Sequence, residues 1–576
     1  MYKYIVIVYL LVSVATIFPF TLQGQDVENL ITETRSRLEN TPFKITGAIQ
    51  SSLQFYTMNG LSENRVNPFS WRLHAHLQMD FLGIKIPISG LFSTRSTAFN
   101  YQLPAYSFAG MSPSYRWATL HLGDRSLSLS PYSLTGHSFR GVGIDLRPGN
   151  FRFTAMYGRL KRARAEDLQK LQNIESPYRR MGWGFKTGFD NGRDRLSVIL
   201  FTAKDEDDSI GIPLDSLLVK PAENVVLGFN GKKQFGKSLF LEVDFAHSIF
   251  TRDLNSHARP DDLTFFKRVG GLIQPLTSTR FNNAMKTSLG FQTNFGSIQL
   301  EHERIDPGYR SLGTLFFNND IENFTGGVTA SIFKKKVNLM GKLGVQRNNL
   351  SGNEINTSVR LVGNVNANVI VNSKVSFNLA YSNFSNTNRL RSFSNPFQLV
   401  DSIVLVLVNE NISLAGTYNL SEKQTSLLSL MLAHQKANSI ENEEVNPERQ
   451  NNFWLAQLAH QYQPAGSKFN LTTAFQANYS VLPQLKTVSL APSIGISTSF
   501  ANDQLQPSTT LSYSAIATQG RWINNIFTWQ NRITYQPHKQ HRFSLITAYI
   551  HRSAKDQSSG IGFSEWRGRL EYGWGF

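Results

Sequence analysis

The chain has 576 residues, no cysteine, 58 Lys and Arg residues and 41 Asp and Glu residues, which give a formal charge of +17. The absence of cysteine excludes disulfides, thiolate metal sites and cysteine nucleophiles. Charged residues make up 17% of the chain, below the roughly 25% of typical soluble domains. The mean hydropathy of −0.25 excludes a bundle of transmembrane helices.

Residues 1–24 have the pattern of a secretory signal peptide. Lys3 precedes the apolar run Tyr4–Phe20, and small and polar residues follow it, so that the mature chain is expected to begin near Gln25. The alternative is a retained membrane anchor, but Pro19 interrupts the run, which is barely long enough to span a bilayer. The pattern predicts an exported protein with a cleaved signal.

Residues 25–42 are expected to form a short helix, either in the periplasm or inside a lumen. In Asp26–Asn40 the apolar residues recur at helical spacing, and the acidic residues at its start favour the positive end of the helix dipole. Pro42 prevents the helix from continuing.

From Phe43 onward, apolar and polar residues alternate with the period of a β-strand. In one segment, Leu239, Leu241 and Val243 alternate with Glu242 and Asp244. The segments run for about 11–15 residues, whereas strands of globular proteins average roughly 5–6 and membrane-spanning strands need roughly 9–11. A closed barrel is the one sheet that leaves no unpaired backbone groups in lipid. The alternation therefore predicts an all-β transmembrane barrel over residues 43–576.

The last segment carries the most specific pattern. One face bears aromatic and apolar residues and the other bears charges, and the chain ends at an aromatic residue; the first face holds Trp566, Leu570, Tyr572, Trp574 and Phe576, and the second Glu565, Arg567, Arg569 and Glu571. This strand resembles the C-terminal assembly strand of outer-membrane β-barrel proteins of Gram-negative bacteria. The resemblance implies a location in the cell outer membrane, contact with its lipid and lipopolysaccharide, and recognition by the barrel-assembly machinery.

Short and long connections alternate along the chain, which sets the orientation and the strand count. Barrels of this class have short periplasmic turns and longer outer loops, and the short connections are Arg147–Asn150, Phe235–Lys237, Phe333–Lys336, Val371–Lys374, Leu420–Lys423, Gln463–Lys468 and Gln536–Gln540. We take Arg125–Tyr132 as a short strand that follows a turn at Gly123–Asp124. The barrel then has about 26 strands, with about 24 as the alternative. An even number places both ends of the barrel in the periplasm.

A barrel of this size encloses a large lumen, which needs a filling or a flattened section. Residues 25–42 are too short for a globular plug, which disfavours a TonB-dependent transporter, so the filling is expected from loops, lumenal side chains or another protein. Two long connections, Thr251–Arg280 and Ile305–Asn323, carry much apolar surface. Each either folds inward as a constriction or ligand contact, or packs as an ordinary structured loop.

Eight charged residues are expected to face the lumen because they alternate with apolar neighbours: Arg152, Lys186, Glu242, Asp244, Glu301, Glu303, Arg567 and Arg569. The basic members favour anions if they stand free in a pore, whereas pairing with the lumenal carboxylates removes that preference. Arg162, Arg164 and Arg179 are expected at the outer end, where they would meet anionic lipopolysaccharide.

Catalytic and metal motifs are weak. Asp205–Asp208 and the acidic residues Glu441, Glu443 and Glu444 match no complete calcium loop and are expected to be solvated. His137 stands beside Ser138, but neighbouring strand residues point to opposite faces, so the two form no relay while extended. No catalytic residue, metal or cofactor is therefore assigned, and an enzyme is not expected.

These features favour an integral outer-membrane channel, or the membrane component of a transport or secretion assembly. The alternative is a sealed barrel that serves as a binding or scaffold protein for an outer-membrane or surface partner; a hydrolase is less favoured. A periplasmic or surface protein partner is consistent with both main hypotheses. Nucleic acid is not an expected partner, because a net charge of +17 says little on its own.

Overall fold

The structure is a computed structural model that describes residues 43–60, 66–81, 83–94, 108–163, 178–210, 220–258, 272–314, 318–352, 359–383, 408–421, 424–441, 444–555 and 561–576. The predicted signal peptide and the predicted helix within residues 25–42 lie outside these residues.

The described residues form 26 antiparallel barrel strands that pair in chain order, and the last strand pairs with the first to close the sheet. The strands are β1 Lys44–Asn59, β2 Phe69–Phe81, β3 Ile84–Ser93, β4 Phe108–Met111 with Ser114–Tyr115, β5 Ala118–Ser126, β6 Ser138–Leu146, β7 Phe151–Lys161, β8 Arg179–Asp190, β9 Arg195–Glu206, β10 Glu223–Phe235, β11 Leu239–Thr251, β12 Thr279–Thr293, β13 Gly296–Ile305, β14 Ile321–Ile332, β15 Val337–Arg347, β16 Val359–Ile370, β17 Val375–Ser382, β18 Val408–Asn419, β19 Thr425–Glu441, β20 Glu444–Gln463, β21 Asn470–Leu482, β22 Leu485–Ser497, β23 Leu505–Thr518, β24 Arg521–His538, β25 His541–Ala554 and β26 Phe563–Gly575.

The predicted count of 26 is confirmed, but one segment predicted to contribute a strand does not. β5 runs straight through Gly123–Asp124 to Ser126, where no turn occurs. Arg125–Tyr132 is therefore not a separate barrel strand. Its leucines alternate with serines as in a lipid-facing strand, yet Leu129 is 1% exposed because it packs inside the barrel.

All seven predicted short connections join neighbouring strands at one end of the barrel. Examples are the turn before β7, which contains Gly149 with φ of 55°, and the turn before β11, which contains Gly236 with φ of 62°. A positive φ of this size favours glycine. Since short turns of such barrels face the periplasm, this end is called the periplasmic end, and both β1 and β26 reach it.

The outer face of the sheet is apolar and open, whereas the inner face is mostly polar. Leu300, Phe324, Leu343 and Val345 are each more than 40% exposed on the outer face, as are many others around the barrel. A continuous apolar band of this kind is unfavourable in water and matches a lipid environment. Among the described residues, no helix is long and apolar enough to span a membrane.

The strand number sets the width of the barrel. With strands about 4.8 Å apart and tilted by about 40°, a 26-strand sheet has a circumference of about 160 Å, or a diameter of about 50 Å if circular. Side chains alone do not fill a lumen of that width.

Candidate functional site: two loops folded into the lumen

Two connections at the outer end of the barrel turn inward and meet each other. We call their residues Leu127–Thr135, which follow β5, and Asp306–Thr314, which follow β13, the lumenal cluster. Leu134–Thr135 and Gly313–Thr314 form a short parallel ladder, separate from the barrel sheet. The cluster thus joins two loops that leave the barrel wall eight strands apart.

The lumenal cluster has a buried apolar core. Leu129, Tyr132, Leu134, Tyr309 and Leu312 are all 3% exposed or less. They pack on one continuous group of side chains from β6 to β13: Phe139, Met156, Leu160, Ile199, Phe201, Ala203, Val226, Ala246, Phe250, Ala284 and Ile305. Contact with so many consecutive strands at once is available only on the concave face of the sheet, so the cluster lies inside the lumen.

Hydrogen bonds connect the two loops to each other. The hydroxyl of Tyr309 donates to the backbone carbonyl of Tyr132 over 2.7 Å, and the hydroxyl of Ser311 donates to the carbonyl of Ser133. Burial raises the pKa of both phenols, and at Tyr132 the carboxylate of Glu303 adds to the effect. Both phenols therefore stay protonated and act as donors.

Asn224 on β10 anchors the second loop to the wall. Its side chain is fully buried and donates to Ser248 Oγ over 2.9 Å and to the carbonyl of Ile249 over 3.0 Å, while its Oδ1 accepts the Leu312 N–H over 3.1 Å. Ser248 in turn donates to the carbonyl of Arg310 over 2.6 Å. The loop is thus fixed to β10 and β11 by both polar and apolar contacts.

Two of the predicted lumenal charges touch the cluster directly. Lys186 on β8 donates to the carbonyl of Leu129 over 3.2 Å, and Glu303 on β13 accepts from the Tyr132 hydroxyl over 2.8 Å. Glu303 also accepts from Asn323 over 3.0 Å. These charges help to hold the loops.

The other predicted lumenal charges of this wall are mostly compensated by neighbours. Glu301 bridges Lys286, at 3.0 Å, and Lys342. Glu242 pairs with Arg195. The remaining two form other contacts: Asp244 accepts from Asn230, and Arg152 donates to the carbonyls of Gly149 and Phe151. This wall therefore holds paired charges, which favours the pairing alternative over a free basic ring.

The closing strand β26 carries a buried polar contact at its junction with β1. Glu565 is fully buried, accepts from the Tyr56 hydroxyl over 2.9 Å and pairs with Arg567 at 2.7 Å. Arg569 lies 3.5 Å from Glu571. The contact joins the first and last strands.

The apolar side of β26 is arranged as an outer face. Trp566, Leu570 and Trp574 are 47%, 46% and 37% exposed, and Tyr572 bonds the His541 ring at 3.0 Å. The backbone of Phe576 pairs with Gly47 of β1. Recognition of this strand by an assembly machinery remains a prediction.

The described part of the loop Thr251–Arg280 does not enter the lumen. Ile273 packs against Val225 and Ile249, whose side chains point away from the lumenal core that contains the neighbouring Val226. In this part the loop therefore packs as an ordinary structured loop and does not fold inward as a constriction. Residues 259–271, like Phe316 and Phe317 of the other long connection, lie outside the described residues.

The residues of the weak catalytic and metal motifs, His137–Ser138 and Asp205–Asp208, include side chains that form structural contacts. His137 Nδ1 lies 3.0 Å from the carbonyl of Ser138 and makes no bond to its hydroxyl, so the pair offers no proton relay. Asp205 is buried against Arg180 at 2.8 Å. Among the described residues, no group of three or more acidic or histidine side chains is arranged to hold a metal ion. The side chains of Glu441, Glu443 and Glu444 and the whole of Arg164 lie outside that part, while Arg179 pairs with Glu206.

Sequence reasoning missed the first loop of the cluster, and it missed Asn224, which anchors the second loop. Two signals were present for the loop: Pro131 interrupts the alternating run, and the run is too short to cross a membrane. Asn224 gives no such signal, because its partner Leu312 is 88 residues away.

Comparisons with known proteins find similarity at the level of fold. No family model and no curated protein matches the chain. The solved P pilus usher (PapC) translocation pore is 10% identical with a TM-score of 0.40, and the alignment covers 92% of this chain and 98% of that one. A chain of the E. coli P pilus tip assembly intermediate PapC-PapD-PapK-PapG is 10% identical with a TM-score of 0.45, and the alignment covers 92% of this chain and 61% of that one. The anion-selective porin from Comamonas acidovorans is 12% identical with a TM-score of 0.27, and the alignment covers 69% of this chain and 100% of that one.

The chain's own closed sheet, apolar outer band and polar interior are those of an outer-membrane β-barrel, the class that its terminal strand resembles. That prediction, with the fold class, is confirmed.

Proposed function

We propose that the chain forms a passage across the outer membrane that the lumenal cluster narrows from one side, either as a channel or as the membrane component of a transport or secretion assembly. The observation that carries this proposal is the burial of the cluster against β6–β13 inside a barrel about 50 Å wide. A barrel with a small lumen needs no such filling, because its own side chains close it.

The packing of the cluster favours a stable closed position. Full burial of a large apolar side chain contributes about 1.5–3 kcal/mol, so the five core side chains contribute on the order of 10 kcal/mol as an upper estimate. Thermal motion alone rarely overcomes an energy of that size. The opening step therefore needs a bound cargo or partner that replaces these contacts, which favours an assembly subunit over an autonomous porin.

The two loops have the connectivity that a displaceable element requires. Both are connections between barrel strands, and neither contributes a strand to the membrane-spanning ladder. Their release would leave the hydrogen bonds of the barrel intact, so the lumen would widen without unfolding the wall.

Planar-bilayer recording of a Gly313→Leu variant tests the proposal. A Cβ on Gly313 would lie 2.4 Å from the Ser133 carbonyl oxygen and 2.6 Å from Phe201 Cζ, so leucine forces the two loops apart. The matched control is Gly326→Leu on β14, where the nearest atom is Leu300 Cδ2 at 3.9 Å on the lipid side. We expect Gly313→Leu to raise the open conductance well above that of wild type and of the control.

Absence of conductance in all three proteins would contradict the passage and favour the sealed scaffold. Native purification in mild detergent then separates the two forms of the proposal. A co-purifying periplasmic or surface protein supports the assembly subunit, whereas isolation of the chain alone with steady conductance supports an autonomous channel.

A further inference from the structure

The inner face of β16–β23 differs from the rest of the lumen in its described side chains, none of which is ionisable. Cross-strand register carries the inner face from Lys342 on β15 to Asn364 on β16 and onward to β23. The described side chains exclude those of Arg360 and of residues 437–450, and none of them on this face belongs to Asp, Glu, Lys, Arg or His. Amides and hydroxyls dominate, for example Asn366, Asn378, Gln457, Gln461, Asn478 and Ser493. We call this face the neutral wall.

The neutrality is a local property, because the adjoining wall is charged. There Lys286, Glu301 and Lys342 form one cluster, and Arg195 pairs with Glu242. Two parts of one lumen thus present different chemistry, and the charged part is the one that holds the lumenal cluster.

The neutral wall also carries small side chains at several inner positions. Alanine occupies inner positions on five successive strands, β17 to β21, at Ala380, Ala415, Ala433, Ala459 and Ala474. Gln457, Gln461 and Asn478 are only partly buried, so their amide groups are open to a molecule that lies along the wall. Their direct cross-strand neighbours include the apolar side chains Met431, Leu427 and Leu455.

A concave site lies at the periplasmic end of the same wall. A cavity of about 460 Å³ opens between the turn that precedes β19 and the turn that precedes β21. Its described lining includes Asn419, Gln424, Thr425, Gln463 and Ser467, and all of its described lining residues are uncharged. Glu422 and Lys423 of the first turn lie outside the described residues. The volume is in the range of small-molecule sites, so the neutral chemistry extends from the wall into a site of ligand size.

We propose that the neutral wall and this cavity bind a neutral, hydroxyl-rich polymer, namely an uncharged polysaccharide chain, as cargo; this inference rests on the passage proposed above and specifies its substrate class. Amide side chains offer both a donor and an acceptor, and serine and threonine hydroxyls offer the same. These groups match sugar hydroxyls without the desolvation of any charge.

The absence of charge argues against the two main alternatives. An anionic polymer is held by Lys and Arg side chains, and none lies among the described side chains of this wall. A protein surface presents charges of both signs, and complementary fixed charges select such a partner. A neutral polymer brings no charge that would need a partner on the wall, so it is the class of cargo that fits the described side chains best.

The test is a ligand-observed NMR titration of the full-length chain in a detergent without a sugar headgroup. The probes are maltohexaose, an anionic oligogalacturonate of similar length and a mixed-charge peptide. We expect maltohexaose to bind more tightly than the other two. Triple substitution Gln457→Leu, Gln461→Leu and Asn478→Leu is expected to weaken maltohexaose binding about tenfold or more, because hydrogen-bonding groups become aliphatic.

The matched control is Gln299→Leu on β13, an inner-face glutamine of the charged wall, which should leave binding within about twofold. If the triple variant does not fold, Asn366→Leu with Asn378→Leu probes the wall on neighbouring strands. Equal or tighter binding of the oligogalacturonate or the peptide, or unchanged maltohexaose binding in the wall variants, overturns the inference. The NMR titration measures binding and needs no ion current. A negative result for the polysaccharide inference is therefore distinguishable from a negative result for the proposed passage.

Discussion

Replacing Asn224 by alanine removes the side chain of β10 that hydrogen-bonds the backbone of the loop Asp306–Thr314. The Leu312 N–H loses its acceptor at 3.1 Å in a fully buried position. An unsatisfied buried group costs about 1–3 kcal/mol. The bonds that Asn224 donates to Ser248 and Ile249 join β10 to β11, so their loss affects the closed and the released loop alike. The closed position of the loop should therefore lose about 1–3 kcal/mol, while the backbone ladder of the barrel is unchanged.

Hydrogen exchange of peptides that cover residues 306–314 measures this loss. At about 1.4 kcal/mol for each tenfold change, exchange should accelerate by about 5- to 140-fold. The control is Asn230→Ala, a buried asparagine on the same face of β10 that contacts Asp244 and lies away from the loop. Equal exchange in the two variants would refute the anchoring role of Asn224.

Two further substitutions test polar contacts of the wall. Tyr56→Phe removes the donor at 2.9 Å from the buried Glu565 carboxylate and should lower barrel stability by about 1–3 kcal/mol, measured by thermal unfolding in detergent. Lys286→Met with Lys342→Met leaves Glu301, whose side chain is 6% exposed, without either of its ammonium partners. An uncompensated buried charge should destabilise the barrel by about 3–5 kcal/mol.

Each of these predictions has a control in the same chain. Tyr513→Phe changes a tyrosine that is 45% exposed on the lipid face of β23, so its unfolding midpoint should stay near wild type. Lys342→Met alone leaves Lys286 at 3.0 Å from Glu301, so the single variant should lose clearly less stability than the double one. If Tyr513→Phe matches Tyr56→Phe, or the single lysine variant matches the double one, the corresponding contact does not stabilise the barrel.

The barrel was predictable from sequence because the pattern that defines each strand lies within that strand. Every second residue of a strand faces lipid, so the alternation around Leu343 and Val345 identifies their face without knowledge of any partner strand. The short turns are equally local, since glycines such as Gly149 mark positive φ. Strand orientation follows from these two signals, whereas the predicted count of 26 also included Arg125–Tyr132, which is not a separate barrel strand.

The lumenal cluster was not predictable in the same way. Leu127 and Leu129 alternate with serines just as lipid-facing residues do, and only the contact with distant wall residues shows that they point inward. Tyr132 meets Glu303 across 171 residues of sequence. The neutral wall is likewise formed by residues from eight strands, so it can be recognised only after the register of every strand pair is known.

Polymer-exclusion sizing of the conducting lumen tests the central claim, that the lumenal cluster narrows a passage. Neutral polyethylene glycols of increasing size are added to planar-bilayer recordings of wild type, Gly313→Leu and the lipid-face control Gly326→Leu. The account predicts that Gly313→Leu admits polymers that wild type and the control exclude, because its loops cannot close on Ser133 and Phe201. An identical size limit in all three proteins would contradict it.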